Sequence, residues 1–152
     1  MPRAAGGATR LCGGRDGVVV YCRTVDDYRT VRAAAEGGGH IVGIGGGFIG
    51  SELASSLTGI GAKVTLVFPE AAIVSRVLPA DLAAFVTEYY SEKGVEMLGG
   101  ETVSSVDGRT VTLGSGRTLE GEAVVAAPGV VPVTAPAQPA GHAAAQRPHQ
   151  HR

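Results

Sequence analysis

Six residues, Gly45-Gly46-Gly47-Phe48-Ile49-Gly50, restrict this chain more than any other feature. Their glycines stand at the spacing Gly-x-Gly-x-x-Gly, between a run of strand character and a run of helix character. Residues 40–45 form an apolar stretch of strand length, and the segment after the turn carries helix-compatible apolar spacing at Ile49, Leu53, Leu57 and Ile60. Gly61 stops that helix. Residues 63–68 (KVTLVF) then form a continuous apolar, β-branched run of the kind buried on both faces of a parallel sheet. Together these pieces predict one βαβ unit of about 30 residues.

Glycine is needed at each position for a different steric reason. A dinucleotide diphosphate must lie close to the backbone, where the free N–H groups and the positive end of a helix dipole can receive it. Gly45 permits the tight turn, Gly47 lets the diphosphate approach, and Gly50 lets the helix pack close to the strand. In a chain with 24 glycines the pattern alone would be weak. Its place between strand and helix is what makes it informative.

The rest of the chain fits around that unit. Residues 18–21 (VVVY) are a short β run, and Thr24 with Asp27 predicts an N-cap and a helix to about Glu36, stopped by three glycines. Pro79 stands in a first helical turn, and Leu82, Phe85, Val86 and Tyr89 recur at helical spacing, predicting a helix to Lys93 that packs this stripe on the sheet. Residues 95–98 read as a strand. Short β segments at 103–106, 110–113 and 117–119, broken by Asp107-Gly108 and Gly114-Ser115-Gly116, read as an antiparallel meander, and residues 123–127 as a last strand. The expected fold is therefore a three-layer α/β, Rossmann-like parallel sheet with a β-meander crossover. Its domain is residues 18–134, preceded by a loop or flanking remnant at 1–17 and followed by a disordered Ala/Pro/His tail at 135–152.

Composition narrows the function. A formal charge of −1 with no Lys/Arg run lacks the footprint of a nucleic-acid binder. No stretch reaches the roughly 18 apolar residues of a membrane span, so the expectation is no membrane partner and a cytoplasmic location, with a mitochondrial one left open. Cys12 and Cys22 are too far apart for a Cys-x-x-Cys motif and read as ordinary thiols. No metal site is expected, the tail residues His142, His149 and His151 having no folded frame.

Several side chains are candidates around the glycine turn. An acid about 20 residues beyond the glycines usually holds the adenosine ribose. Phe68 ends the second strand here and Glu70 follows two residues later, as either that acid or a solvated loop carboxylate. Arg76 could lie over the adenosine or a 2′-phosphate, or be a surface arginine, which leaves both NAD and NADP open. Glu52 reads as a first-turn residue, either directed toward the nicotinamide or stabilising the helix N-terminus. Tyr89-x-x-x-Lys93 has the spacing of the short-chain dehydrogenase acid pair, but it comes only about 40 residues after the glycines, with Tyr89 in the apolar stripe. It is read as structural.

GGGFIGSEL at residues 45–53, VTLVFPE at 64–70 and LPADL at 78–82 carry a family resemblance. The chain resembles the flavin-dependent pyridine nucleotide-disulphide oxidoreductases, above all their apoptosis-inducing-factor-like branch, over residues 5–134. The resemblance implies a domain inserted into an FAD domain, with NADH across the glycine turn and its nicotinamide stacked on flavin. It implies that Gly46, Phe48, Ile49, Glu52, Glu70 and Arg76 line the dinucleotide, with Gly129 near its nicotinamide end. Residues 5–7 and 126–132 are similar to the points where such a chain leaves and re-enters the FAD domain.

Departures from the pattern are equally definite. The chain has no second Gly-x-Gly-x-x-Gly in an N-terminal βαβ unit for FAD, lacks the closing segment over the flavin, and has Val133 where a polar residue is usual. It therefore reads as the NAD(P)-binding part of a larger enzyme, with the FAD domain missing or supplied by a partner chain. The rival readings are an NAD(H)-binding module without turnover and an inactive fragment whose exposed interdomain face drives dimerisation. A methyltransferase using the same turn is disfavoured by the third glycine. No residue is expected to act as catalytic acid, base or nucleophile.

Overall fold

The computed structural model describes residues 19–129. In chain order these form β1 (Val19–Val20), α1 (Val25–Ala35), β2 (His40–Ile44), α2 (Phe48–Gly59), β3 (Lys63–Phe68), α3 (Ala80–Glu92) and β4 (Val95–Gly99). The chain continues through β5 (Val103–Asp107), β6 (Thr110–Leu113) and β7 (Thr118–Glu120), and ends in β8 (Ala123–Ala126). One five-stranded parallel sheet has the order β1-β8-β2-β3-β4, and the meander is a separate antiparallel sheet, β5-β6-β7. The expected architecture is therefore the observed one. The tail and the segment before β1 lie outside the described residues.

Alternation along the central strands divides the core into two layers. Ile41, Val64, Leu66, Phe68 and Val125 face the helices, where they meet Val31, Ala35, Ala54 and Leu57. Val42, Ile44, Val67 and Val124 face the meander, against Val106, Val111, Leu113 and Leu119. A sheet buried on both faces explains why its strands are apolar throughout rather than alternating.

Two helix faces differ from the sequence expectation. On α3, Leu82, Phe85 and Tyr89 are exposed, and the inward face is Ala83 with half-buried Val86 and Tyr90. The inward side also carries a polar tie: the Thr87 hydroxyl accepts a hydrogen bond from the Ile73 amide at 3.0 Å, which joins α3 to the loop before it. Pro79 is the N-cap of α3 rather than a residue of its first turn. On α2 the buried residues are Gly50, Ser51, Ala54 and Leu57, while Ile49 and Ile60 are exposed. Small residues face the sheet because the helix approaches it closely.

A polar chain crosses the meander side of the sheet, away from the glycine turn. The His40 ring reaches the Glu120 carbonyl at 2.6 Å and the Thr65 hydroxyl at 2.8 Å. Thr65 donates to Glu96 at 2.7 Å, and Arg117 donates to the other oxygen of the same carboxylate at 2.9 Å. The Thr65 hydroxyl first, and Arg117 second, hold the Glu96 carboxyl below its ordinary range. A carboxyl lowered by folding adds stability above its unfolded pKa, and that stability is lost as pH falls through the folded value. Thr65→Val should therefore lower stability by about 1–2 kcal/mol near neutral pH, by removing the buried hydroxyl both neighbours use. It should also flatten the acid limb of the melting-temperature profile, read by calorimetry from neutral pH downward. An unchanged acid limb would show the chain of bonds to be without thermodynamic weight.

Candidate functional site

The direction of chain progression reverses between β2 and β8. From β2 the chain moves outward through β3 to β4, then returns by the meander to β8 on the other side of β2. In open α/β sheets such a switch point leaves a crevice at the carboxyl ends of the strands. Here those ends are Ile44-Gly45 and Ala126-Ala127, joined by a hydrogen bond from the Ala127 amide to the Ile44 carbonyl at 2.8 Å. The glycine turn opens from this junction directly into α2.

Each glycine of the turn has a distinct environment. Gly45 has φ +116°, and a Cβ there would lie 2.4 Å from the Ala127 carbonyl oxygen, so both the conformation and the contact with β8 demand glycine. A Cβ on Gly50 would lie 1.9 Å from the Gly45 carbonyl oxygen, so the close approach that needs the third glycine is to the turn at the end of β2. At Gly47 a Cβ would meet nothing within 4 Å. That residue is the N-cap of α2, it makes no side-chain capping bond, and the first turn of α2 carries no acid. The backbone amides at the helix N-terminus are left facing open space.

This space is a cleft of about 390 Å³, a volume in the range of small-molecule sites. Gly45, Gly46, Gly47 and Phe48 line one part of it, and Pro128 and Gly129 another. Glu70 and Arg76 stand in its wall as an ion pair, Glu70 half-buried and Arg76 largely exposed. Of the candidates from the sequence, Gly45, Gly46, Gly47, Phe48, Glu70, Arg76 and Gly129 thus meet in one cleft. Ile49, Gly50 and Glu52 are not among its lining residues. Gly50 is buried behind the turn, and Glu52 is an exposed residue. Because α2 begins at Phe48, Glu52 lies beyond the first turn rather than on it.

The cleft also contains residues that periodicity does not single out. Glu101, Thr102 and Val103 line it from the exit of β4, and Val74 and Val77 from the loop before α3. Val74 has φ +49°, uncommon for a β-branched residue. Its amide donates to the Gly46 carbonyl at 2.7 Å and its side chain is buried, and these two contacts hold the loop against the glycine turn. Such strain is of order 1–3 kcal/mol and persists only where surrounding contacts fix it.

The decoys fall elsewhere. Lys93 stands over the Tyr89 ring with its nitrogen 5.2 Å from the centroid, and neither residue lines the cleft. Burial first, and the Asp27 carboxylate second, push the Cys22 thiol up, which keeps it protonated. Cys12 and the tail histidines lie outside the described residues.

Comparison with known proteins agrees with this geometry. Residues 4–148 match the family described as pyridine nucleotide-disulphide oxidoreductase. Peroxisomal monodehydroascorbate reductase 1 of Arabidopsis thaliana is 38% identical over 124 residues, which cover 76% of this chain and 29% of that protein. Mitochondrial apoptosis-inducing factor 1 of Dictyostelium discoideum is 37% identical over 123 residues, covering 74% of this chain and 23% of the relative. The water-forming NADH oxidase of Lactobacillus brevis, solved bound to NADH, superposes with a TM-score of 0.75 at 25% identity over 87% of this chain and 30% of its own. The chain thus spans under a third of the length of these relatives. On the strength of the family match, the turn and the sheet order together, the chain belongs to the pyridine nucleotide-disulphide oxidoreductase family.

Proposed function

We propose that this chain binds a nicotinamide dinucleotide in the cleft at the β2–β8 switch point and orients it for hydride transfer to a flavin. The observation that carries the reading is the empty space beside Gly47, at the acid-free N-terminus of α2. A diphosphate placed there would accept hydrogen bonds from backbone amides and complement the helix dipole. Glu70 would accept from the adenosine ribose hydroxyls, with Arg76 beside the adenosine, and Gly129 would lie toward the nicotinamide. The dinucleotide, when bound, supplies the hydride; the residues of this chain bind, position and select it.

A flavin would be held by residues outside 19–129, in the FAD domain that the longer relatives imply or in a partner chain. Residues 18–134 form the dinucleotide-binding unit in this reading. NADH is the preferred ligand, because a carboxylate at Glu70 suits a ribose diol better than a 2′-phosphate. Among the described residues no helix is long and apolar enough to cross a membrane.

Calorimetric titration of the chain with NADH should give saturable binding with one site. Glu70→Ala should weaken it about tenfold to a hundredfold, through loss of charge-assisted bonds worth roughly 1.5–3 kcal/mol. Absence of NADH binding by the wild-type chain would overturn the proposal. A flavin absorption band in the purified protein would extend it to the whole reaction; NADH binding without that band would assign the chain to dinucleotide binding alone.

A further inference from the structure

We infer that Glu101 is a second selector in the adenosine-side wall of the cleft, opposing a ribose 2′-phosphate and reserving the site for NADH. The inference rests on the dinucleotide reading above and adds to it a residue beyond the strand-end acid. Its basis is how the chain leaves β4. A Cβ on Gly99 would lie 3.0 Å from the Ala71 carbonyl oxygen, 3.1 Å from Phe68 Cε2 and 3.2 Å from the Glu70 carbonyl oxygen. A side chain there would push the Glu70 loop back by a few tenths of an ångström, so glycine lets the end of β4 run close to it. Gly100, at φ +76°, then turns the chain, its amide donating to the Glu70 carbonyl at 2.9 Å. The Glu101 amide donates to the Phe68 carbonyl at 3.1 Å. These two bonds fasten Glu101 beside the loop that follows β3 and carries Glu70, and both residues line the same cleft.

Charge then decides the ligand. Glu70, Glu101 and Arg76 are the charged residues lining the cleft. Arg76 is already paired with Glu70, and among the described residues Glu101 has no ion-pair partner. Among the described residues the adenosine side therefore carries one uncompensated negative charge. NADH presents a neutral hydroxyl at the ribose 2′ position, whereas NADPH presents a dianionic phosphate. In the dinucleotide reading the amides at the glycine turn would be engaged by the diphosphate and would not offset this added charge. The concave wall of the cleft focuses such repulsion relative to a flat surface.

The test is titration of the full chain, wild type and variants, with NADH and NADPH separately. Wild type should favour NADH at least tenfold. Glu101→Gln should tighten NADPH more than NADH and narrow that ratio about tenfold, and Glu101→Lys should narrow it further, with the gain shrinking at high salt. Glu88→Gln, which removes an exposed carboxylate from α3 outside the cleft, should leave the ratio where it was. Wild-type binding of NADH with a ratio unmoved by Glu101→Gln, or moved equally by Glu88→Gln, overturns this inference alone. Failure of the wild type to bind NADH brings down the dinucleotide reading and this inference with it.

Discussion

Gly47→Val should abolish measurable NADH binding while leaving the chain folded. The two effects separate because the structure gives them different causes. Gly47 has φ −82° and ψ −170°, an extended conformation open to any residue, and an added Cβ meets no atom within 4 Å. Valine caps a helix less well than glycine, so stability should fall by no more than about 1 kcal/mol. The isopropyl group would fill the space in which a diphosphate must lie to reach the amides of the turn. Losing two charge-assisted hydrogen bonds, at roughly 1.5–3 kcal/mol each, corresponds to a drop in affinity of about a hundredfold or more. Calorimetric titration reads the affinity and a thermal melt reads the fold. If the variant kept NADH affinity within about threefold of wild type, the diphosphate would have to lie elsewhere.

The parts of this site that are legible in the sequence are those whose steric causes are local. The strand, turn and helix around residues 45–50 are marked by neighbours in the chain, so the glycine spacing together with the apolar runs on either side predicts them, and the meander is marked by its turn dipeptides. Long-range causes leave weaker traces. Gly45 must be glycine partly because the Ala127 carbonyl lies against it, across 82 residues of sequence that no periodicity spans. Glu101 enters the cleft because Gly99 and Gly100 let β4 exit against the Glu70 loop, yet in the sequence these are two more glycines among 24. The inward side of α3 includes the Thr87 hydroxyl, which serves a backbone amide in a loop. An apolar count assigns Leu82, Phe85 and Tyr89 to the core, since it cannot see a polar demand from outside the helix. Glu70 shows the converse: its displacement from the strand end departs from the general fingerprint, and the Phe-Pro-Glu order made it readable by resemblance.

Gly50→Ala should destabilise the chain severely, and a second alanine on the same helix should do the opposite. At Gly50 the new methyl would stand 1.9 Å from the Gly45 carbonyl oxygen and 3.1 Å from its carbonyl carbon. Both are backbone atoms of a turn pinned on either side: the Gly45 amide donates to the Val67 carbonyl at 2.8 Å, and the Gly46 carbonyl accepts from Val74 at 2.7 Å. No side-chain rotation relieves the clash, so α2 must lift off the sheet and loosen the contacts of Ala54 and Leu57 beneath it. Overpacking a core in this way costs about 1–3 kcal/mol when side chains can adjust, and more when only backbone can move. A loss of about 3–5 kcal/mol is expected, a large share of the roughly 5–15 kcal/mol available to a domain. In a chain of this size that lowers the melting temperature by about 10 °C or more. Gly59→Ala places the same methyl at the last residue of α2, where nothing lies within 4 Å. There the greater helix propensity of alanine should raise stability by about 0.5–1 kcal/mol. The opposite signs matter because propensity alone predicts a gain at both positions. A Gly50→Ala variant as stable as wild type would mean that α2 does not rest on the turn at this distance. The path by which its N-terminus faces the cleft would then have to be redrawn.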